Sequence, residues 1–173
     1  ALLSTLQSGD RVIGGKDMYG GTYRMFERIF KQFGIILVQI DLQDAEILEQ
    51  ELQKGAKMVF LETPTNPLLE IFDIEAIAKQ AKEYNTLTVV DNTFASPINQ
   101  IPLNFGADIV WHSTTKYVGG HSDIIGGILV TNDESLNNQF VFARMAMGLN
   151  PSPFDVWLTH RSLKTLPVRM KQH

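Results

Sequence analysis

The sequence contains no cysteine among its 173 residues, which excludes disulfides, thiolate metal ligands and a cysteine nucleophile. It has no excess of positive charge either: 15 lysines and arginines stand against 19 aspartates and glutamates, for a net charge of −4. A nucleic-acid or membrane partner is therefore not expected. No apolar run of about 18 residues and no signal-peptide pattern occurs. With cysteine absent, we expect a cytoplasmic protein.

What is present is the composition of an ordinary globular core. Hydrophobic residues make up 44% of the chain and charged residues 20%. The length predicts a single domain. Both ends run into helical patterns, because residues 1–6 resemble the end of a helix closed by Gly9, and residues 161–173 stop inside a helical pattern. We therefore expect residues 1–173 to be an internal piece of a longer protein.

Strand and helix patterns alternate along the chain. Short apolar runs predict strands at residues 11–13, 35–40, 58–61, 87–90, 108–111 and 124–130. Helical spacing predicts helices at residues 23–33 and after Asp44, Asp73, Asp133 and Pro153. Apolar strands without polar alternation are typical of a parallel sheet buried on both faces. The predicted fold is α/β, a mostly parallel, doubly wound sheet with helices on both faces.

Polar residues, glycine and proline follow four of the predicted strands. These segments are residues 18–22, 62–67, 91–97 and 112–123. The segment after the second strand, around Asp41, lacks this character. In a doubly wound sheet, ligands bind at the carboxyl ends of the strands. The sequence therefore predicts a ligand site at this edge of the sheet.

Lys116 lies in a turn rich in hydroxyl groups, between Ser113 and Thr115. Hydroxyls and main-chain N–H groups in such a turn can surround a phosphate, to which a lysine adds positive charge. The alternative is a solvated lysine in a Ser/Thr loop. A Walker-type loop is excluded because no G-x-x-x-x-G-K-[ST] occurs, and the glycine pairs do not form G-x-G-x-x-G.

Asp91 and Tyr19 also follow strands, and each has two interpretations. Asp91 either binds a protonated ring nitrogen or caps its own turn. Tyr19, beside a pair of glycines, is either a stacking platform or part of a surface turn. An amine that bonds a carbonyl, an acid for a pyridine nitrogen, a stacking aromatic and phosphate-binding hydroxyls are the requirements of pyridoxal 5′-phosphate. We therefore expect this cofactor.

Four motifs then carry a family resemblance. They are YGGTYR at residues 19–24, ETPTNP at residues 62–67, VDNTF at residues 90–94 and STTKYVGGHSD at residues 113–123. In this order and spacing they resemble the Cys/Met-metabolism family of pyridoxal-phosphate enzymes. The resemblance implies the large cofactor-binding domain of a fold-type I aminotransferase-like enzyme, without its N-terminal arm and C-terminal domain. It also implies a homo-oligomer, by family resemblance a homotetramer.

The resemblance implies catalytic roles for three residues and a substrate contact for two. Lys116 resembles the Schiff-base lysine, which also moves protons. Asp91 resembles the partner of the pyridine nitrogen. Tyr19 resembles the ring-stacking tyrosine, which also acts on the substrate amine. Arg24 matches a position that contacts substrate in relatives.

Four further residues resemble ligands of the cofactor. Asn66 resembles the residue near the 3′-oxygen, and Thr93 a contact to the ring. Ser113 and Thr115 resemble phosphate ligands. No metal is expected, because no ligand set accompanies His112 and His121, for which we expect local structural roles.

The residues around the lysine motif and near the end of the chain bear on the reaction. The GHSD form at residues 120–123 and PSPFD at residues 151–155 resemble the cystathionine-handling members of the family. This implies transsulfuration: elimination or replacement on a small sulfur amino acid, as in cystathionine γ-lyase or γ-synthase. The alternatives are a methionine γ-lyase or O-acylhomoserine sulfhydrylase, a non-catalytic folding or assembly fragment of such an enzyme, and a plain phosphate-binding domain.

Overall fold

A computed structural model describes residues 2–173. The strands are β1 (Arg11–Gly15), β2 (Ile36–Ile40), β3 (Met58–Glu62), β4 (Leu87–Asp91), β5 (Ile109–Ser113) and β6 (Gly127–Val130). The α-helices are α1 (Leu2–Thr5), α2 (Gly20–Arg24), α3 (Ala45–Gln53), α4 (Ile74–Glu83), α5 (Ser96–Asn99), α6 (Glu134–Ala146), α7 (Pro153–Leu163) and α8 (Leu166–Gln172). None of the helices within residues 2–173 combines the length and apolar character that crossing a membrane requires.

The strands form a single six-stranded sheet in the order β2-β1-β3-β4-β5-β6. The first five strands along the chain are parallel, and β6 pairs antiparallel with β5. The predicted α/β class and mostly parallel sheet are confirmed. The predicted last strand, residues 124–130, begins only at Gly127. It is antiparallel because the intervening loop folds back on itself, with the Thr114 N–H donating to the Gly126 carbonyl at 2.9 Å.

Helices cover both faces of the sheet, as predicted. Alternate residues of each strand point to opposite faces, so that Ile13, Val59 and Val90 belong to one buried cluster and their neighbours to another. The first cluster packs under α3 and α4. The second packs under α1, α6 and the segment that follows α2. We call these the α3–α4 face and the α1–α6 face.

The prediction that every strand is buried on both faces is wrong for the edge strands. The strands β3 and β4 are buried almost throughout, whereas β2 and β6 keep exposed and half-buried residues. Ile36 in β2, for example, is 49% exposed. An edge strand has a neighbour on one side only, so that its apolar residues are covered less completely.

The helix predicted at residues 23–33 is the least regular element. It begins as α2 at Gly20, continues as a π-helical turn (Met25–Ile29) and ends as a 3₁₀ helix (Phe30–Phe33) before Gly34, whose φ is 76°. Phe26 and Phe30 pack on the sheet with their rings in edge contact, 5.2 Å between centroids. No side chain caps the start of α2. The segment is therefore held by packing rather than by its own capping bonds.

Three of the other helices begin at aspartate caps, as the sequence predicts. Asp44 accepts the N–H groups of Glu46 and Ile47, Asp73 that of Ala76, and Asp133 that of Leu136. These bonds satisfy N–H groups that a helix start leaves without partners.

Candidate active site

A cavity of about 660 Å³ opens at the carboxyl edge of the sheet, on the α1–α6 face. Its walls come from the ends of β1, β3, β4 and β5, from β6, and from α1 and the segment around α2. The chain winds in opposite directions from β1, because β2 lies on one side of it and β3 on the other. Such a reversal leaves a crevice at the strand ends, where ligands bind in open α/β sheets.

The structure places seven of the eight predicted site residues on this cavity. They are Tyr19, Asn66, Asp91, Thr93, Ser113, Thr115 and Lys116. The eighth, Arg24, is exposed on α2 and does not line the cavity. Residues that are almost 100 positions apart in sequence therefore face a common space.

Lys116 lies in a π-helical turn (Thr114–Val118) directly after β5. Its own backbone is not helical, with φ −99° and ψ −128°, and this kink separates the lysine from the turn on either side. The hydroxyl of Thr115 accepts the N–H of Gly126 at 3.2 Å, and the N–H of Gly119 donates to the Thr114 carbonyl at 2.8 Å. These bonds fix the turn while the lysine side chain stays exposed on the cavity.

Arg169, from α8, holds the same turn from outside, a contact that the sequence analysis missed. Its guanidinium donates to the carbonyls of Tyr117, Val118 and Ser162, the last two at 3.2 and 3.0 Å. Gly120 makes room for it, because a side chain at Gly120 would collide with the guanidinium. Nothing local in the sequence signals a contact between residues 52 positions apart.

Asp91 is the last residue of β4 and is 7% exposed. Burial raises the pKa of its carboxyl, while bonds from Thr93 lower it. The N–H of Thr93 donates to the carboxyl at 3.0 Å, and the Thr93 hydroxyl accepts the N–H of Ser113 at 2.8 Å. The turn predicted as one role of Asp91 is therefore formed. Its carboxyl still lines the cavity, and none of the ion pairs within residues 2–173 involves it.

Glu62, also missed by the sequence analysis, ends β3 and lies beside Asp91 in the strand register. It is 7% exposed and lines the cavity. Burial is the largest effect that raises the pKa of Glu62 to about 7, and the nearby Asp91 and Asp17 raise it further. Hydrogen bonds from main-chain N–H groups act against this rise. The signal available in the sequence was its place at the head of the ETPTNP motif, at a strand end.

Tyr19 precedes α2, and its side chain is 44% exposed. Its ring lies across Gly21, where any side chain would collide with it. Its main-chain N–H donates to the carboxyl of Glu62 at 2.8 Å. An open aromatic face at the mouth of the cavity is what the stacking interpretation requires.

The donor set of the cavity fits pyridoxal 5′-phosphate. A free amine, a buried carboxyl without a cation, an aromatic ring and a group of hydroxyls correspond to the carbonyl, pyridine nitrogen, ring and phosphate of that cofactor. The remaining wall is mostly apolar and includes Trp111 and Leu129, as a planar heterocycle needs.

Neither His112, just before the lysine motif, nor His121, within it, lines the cavity. His121 Nδ1 lies 2.8 Å from the carbonyl oxygen of Gly119, within its own turn. His112 is buried, and burial lowers the pKa of its ring. Within residues 2–173, no group of three or more acidic or histidine side chains is placed to hold a metal ion.

Comparison with known proteins agrees with this geometry. The model of the family described as Cys/Met metabolism PLP-dependent enzyme matches residues 1–173. The chain belongs to this family. The family resemblance of the four motifs is thereby confirmed, and with it the dependence of the family on pyridoxal phosphate.

Members of the family share close to half of their residues with this chain. A probable cystathionine γ-synthase of Herpetosiphon aurantiacus is 48% identical over 170 residues, which are 98% of this chain and 53% of that protein. The chain thus spans about half the length of the curated relatives it matches.

Two solved structures of the family have the same fold. Cystathionine γ-synthase of Xanthomonas oryzae in complex with cystathionine is 47% identical, with a TM-score of 0.93 over 96% of this chain and 43% of that one. Cystathionine γ-lyase of Lactobacillus plantarum complexed with L-serine is 44% identical, with a TM-score of 0.94 over 96% and 44% of the two chains. A synthase and a lyase are thus about equally similar, so that similarity alone does not select the reaction.

Proposed function

We propose that residues 1–173 form the cofactor-binding large domain of a transsulfuration enzyme of the cystathionine γ-lyase or γ-synthase type. The observation that carries the proposal is the convergence of Lys116, Asp91 and Tyr19 on one cavity at the switch point of the sheet. Family membership and the coverage of about half of each relative support it. An enzyme of the relatives' length that contains these residues is called the full-length enzyme below.

When bound, pyridoxal 5′-phosphate supplies a ring that withdraws electrons from the α-carbon of an amino acid. Lys116 would hold the carbonyl group of the cofactor through its Nζ, and as a free amine it would accept the α-proton of the substrate. Its position in the kinked turn leaves the amine exposed for both tasks. Asp91 holds a proton on the pyridine nitrogen, and the N–H of Thr93 keeps its carboxyl in place.

The other cavity residues bind and orient the cofactor in this proposal. Tyr19 would stack on the ring and act on the substrate amine, and Asn66 would contact the 3′-oxygen. Ser113 and Thr115 would bind the phosphate through their hydroxyls. The Gly126 N–H that now donates to Thr115 shows that this hydroxyl also holds the β6 loop.

Arg24 remains a proposed substrate contact, although it does not line the cavity. Arg24 is an exposed residue of α2. Its guanidinium lies beside Gly20, which follows Tyr19 at the start of the helix. From this position outside the cavity, its guanidinium would bind a carboxylate of an entering amino acid in a bidentate manner.

Borohydride reduction of the full-length enzyme, followed by peptide mapping, tests the proposal. We expect the reduced cofactor on Lys116 and on no other residue. Lys116→Ala should remove the yellow colour of the bound cofactor, while Lys79→Ala, an exposed lysine on α4, should keep it. An adduct on another residue, or phosphate binding without any adduct, would contradict the proposal and favour a plain phosphate-binding domain.

The substrate is proposed to be a small sulfur amino acid, with cystathionine first. Incubation with cystathionine, with methionine, and with O-succinylhomoserine plus cysteine distinguishes the lyase, methionine γ-lyase and synthase reactions by their products. A sulfhydrylase would instead join an O-acylhomoserine to sulfide. The similarity to both a synthase and a lyase is the reason to run all of these reactions.

A second candidate is that the 173 residues alone act as a non-catalytic folding or assembly unit. It is favoured by their coverage of only about half of each relative. The absorption spectrum after addition of the cofactor separates the two. A cofactor–lysine band in the full-length enzyme but not in the 173-residue chain would favour the second candidate.

Assembly and location are further proposals that rest on the family resemblance. We propose a homotetramer, which sedimentation of the full-length enzyme tests, and a cytoplasmic location, which cell fractionation tests. Neither is needed for the roles proposed for the cavity residues.

A further inference from the structure

Glu62 is a buried acid on the cavity that the proposed chemistry leaves without a task. It ends β3, and its exposed fraction of 7% equals that of Asp91. Within residues 2–173 it makes none of the ion pairs. Burying a carboxyl without a cation is costly, so a group that persists in such a place needs an explanation.

The hydrogen bonds of Glu62 supply that explanation. Its carboxyl accepts the main-chain N–H of Tyr19 at 2.8 Å, and the nearby main-chain N–H of Asn66 helps to lower its pKa. Tyr19 lies in the segment after β1, and Asn66 lies in the segment after β3. A single side chain therefore joins the two loops that carry the proposed ring contacts.

The local backbone around Tyr19 shows why this hydrogen bond matters. Tyr19 begins α2, which has no side-chain cap, and the helix becomes irregular after one turn. Its ring is 44% exposed and lies across Gly21. The bond to Glu62 links the main chain of Tyr19 to the end of β3.

We propose that Glu62 is a positioning residue, which holds the loop of Tyr19 against the segment of Asn66 through a hydrogen bond to the Tyr19 main chain. This inference rests on the proposed function. It assigns to Glu62 no contact with the reacting atoms, and its effect passes through the two loops.

The protonation state of Glu62 makes its positioning role measurable, because it changes with pH. Burial raises the pKa of Glu62 to about 7, so that the unliganded carboxyl loses its proton between about pH 6 and pH 8. The titratable groups that face it are Asp91 on β4 and Asp17 in the loop after β1, both of which raise that pKa. A carboxylate accepts N–H bonds more strongly than a protonated acid or an amide does. The hydrogen bond between Glu62 and the Tyr19 main chain should therefore become stronger as the pH rises.

The experiment measures binding of 4′-deoxypyridoxine 5′-phosphate, which lacks the carbonyl and so cannot bond Lys116. Calorimetric titration of the cofactor-free full-length enzyme gives Kd between pH 6 and pH 8.5. Glu62→Leu removes the acceptor and should raise Kd about tenfold or more. Glu62→Gln keeps a neutral acceptor, and its Kd relative to the wild type should rise about threefold or more between pH 6 and pH 8.

Glu70 provides the matched control. It lies in the same segment after β3 but outside the cavity, so that Glu70→Leu and Glu70→Gln should change Kd by less than about twofold at every pH. The titration of the free probe is common to the wild type and to the Gln variants, so that it cancels in the ratio.

Each outcome decides the inference. Wild-type affinity in Glu62→Leu overturns it, and so does a Gln-to-wild-type ratio that stays constant with pH, because a packing role alone would give that result. If Glu62→Leu does not fold, the Gln ratio decides by itself. If the wild type binds neither the probe nor the cofactor, the proposed function is wrong; if the wild type binds and both Glu62 variants match it, only the role of Glu62 is wrong.

Discussion

The two faces of the sheet differ in the regularity of their helices. Both carry aspartate-capped helices, including α6 on the α1–α6 face, but the α1–α6 face also carries an irregular segment. On the α3–α4 face, helices of nine and ten residues begin at aspartate caps and pack on a continuous apolar cluster. On the α1–α6 face, the five-residue α2 has no side-chain cap and passes into π and 3₁₀ turns. The cavity opens on this second face.

This difference indicates that the α3–α4 face contributes mainly to stability and the α1–α6 face mainly to binding. A regular helix parallel to the strands fills the space above a sheet and leaves no room for a ligand. An irregular segment leaves room, and its loops direct main-chain and side-chain groups into that room. Substitutions on the α3–α4 face should therefore change stability alone, and those on the cavity should change cofactor chemistry alone.

The largest expected effect comes from Asp91→Asn on the cavity face. The amide cannot keep the pyridine nitrogen protonated, so turnover of the full-length enzyme should fall about 10³-fold while cofactor remains bound. Steady-state rates and cofactor absorbance measure the two quantities. Asp108→Asn is the matched control, since Asp108 is also a carboxyl with a pKa raised by burial but binds the Thr88 N–H at the far end of β5. Normal turnover in Asp91→Asn would remove Asp91 from its proposed role.

Leu48→Ala on the α3–α4 face should give the largest loss of stability. Leu48 is a fully buried residue of α3, and truncation of such a leucine costs about 2–5 kcal/mol. Chemical unfolding should show this loss, and the cofactor affinity of the folded protein should stay within about twofold. Ile47→Ala, at a position 36% exposed, should cost under about 1 kcal/mol. A matching fall in cofactor affinity would mean that the two faces are not independent.

Gly21→Ala should have the opposite effect to Leu48→Ala: cofactor affinity should fall and stability should stay nearly unchanged. The added methyl group displaces the Tyr19 ring, so the affinity for cofactor should fall about tenfold. Stability should change by less than about 1 kcal/mol, because alanine favours the helix that glycine weakens. Gly20→Ala, where the methyl group would meet only the Arg24 guanidinium at 3.4 Å, should bind cofactor normally. Equal affinities for the two variants would argue against a stacking role of Tyr19.

The smallest expected effect comes from the helix cap of α4. Asp73→Ala removes the bond to the Ala76 N–H and should lower the free energy of unfolding by about 1 kcal/mol, without any effect on turnover. Glu75→Ala, in the first turn of the same helix, should cost less than half as much. Thermal unfolding of both variants measures the difference in stability. Reduced turnover in either variant would contradict the view that the α3–α4 face affects stability alone.

Much of the α3–α4 face could be predicted from the sequence, and less of the other face. The caps at Asp44 and Asp73 and the apolar spacing that follows them are local signals, and both helices lie where those signals place them. The helix predicted at residues 23–33 matched only in part. Its apolar spacing included Ile29 and Phe33, which are 52% and 56% exposed, since packing of Phe26 and Phe30 decided the geometry.

The candidate site shows the same limit. Seven of its predicted residues line one cavity because strand ends in a parallel sheet meet at one edge. Arg24 lies outside the cavity because it is the exposed last residue of α2. Glu62 and Arg169 escaped notice because their partners, Tyr19 and Tyr117, are 43 and 52 positions away.

The sequence by itself determined where most strands and caps form, which residue types collect at the strand ends and to which family the chain belongs. These properties follow from neighbouring residues and short motifs. Only the tertiary structure decided the direction of β6, the burial of Glu62 beside Asp91 and the hold of Arg169 on the lysine turn. Each of these depends on which distant segments become neighbours, and burial and hydrogen bonding act on residues only after the chain has brought them together.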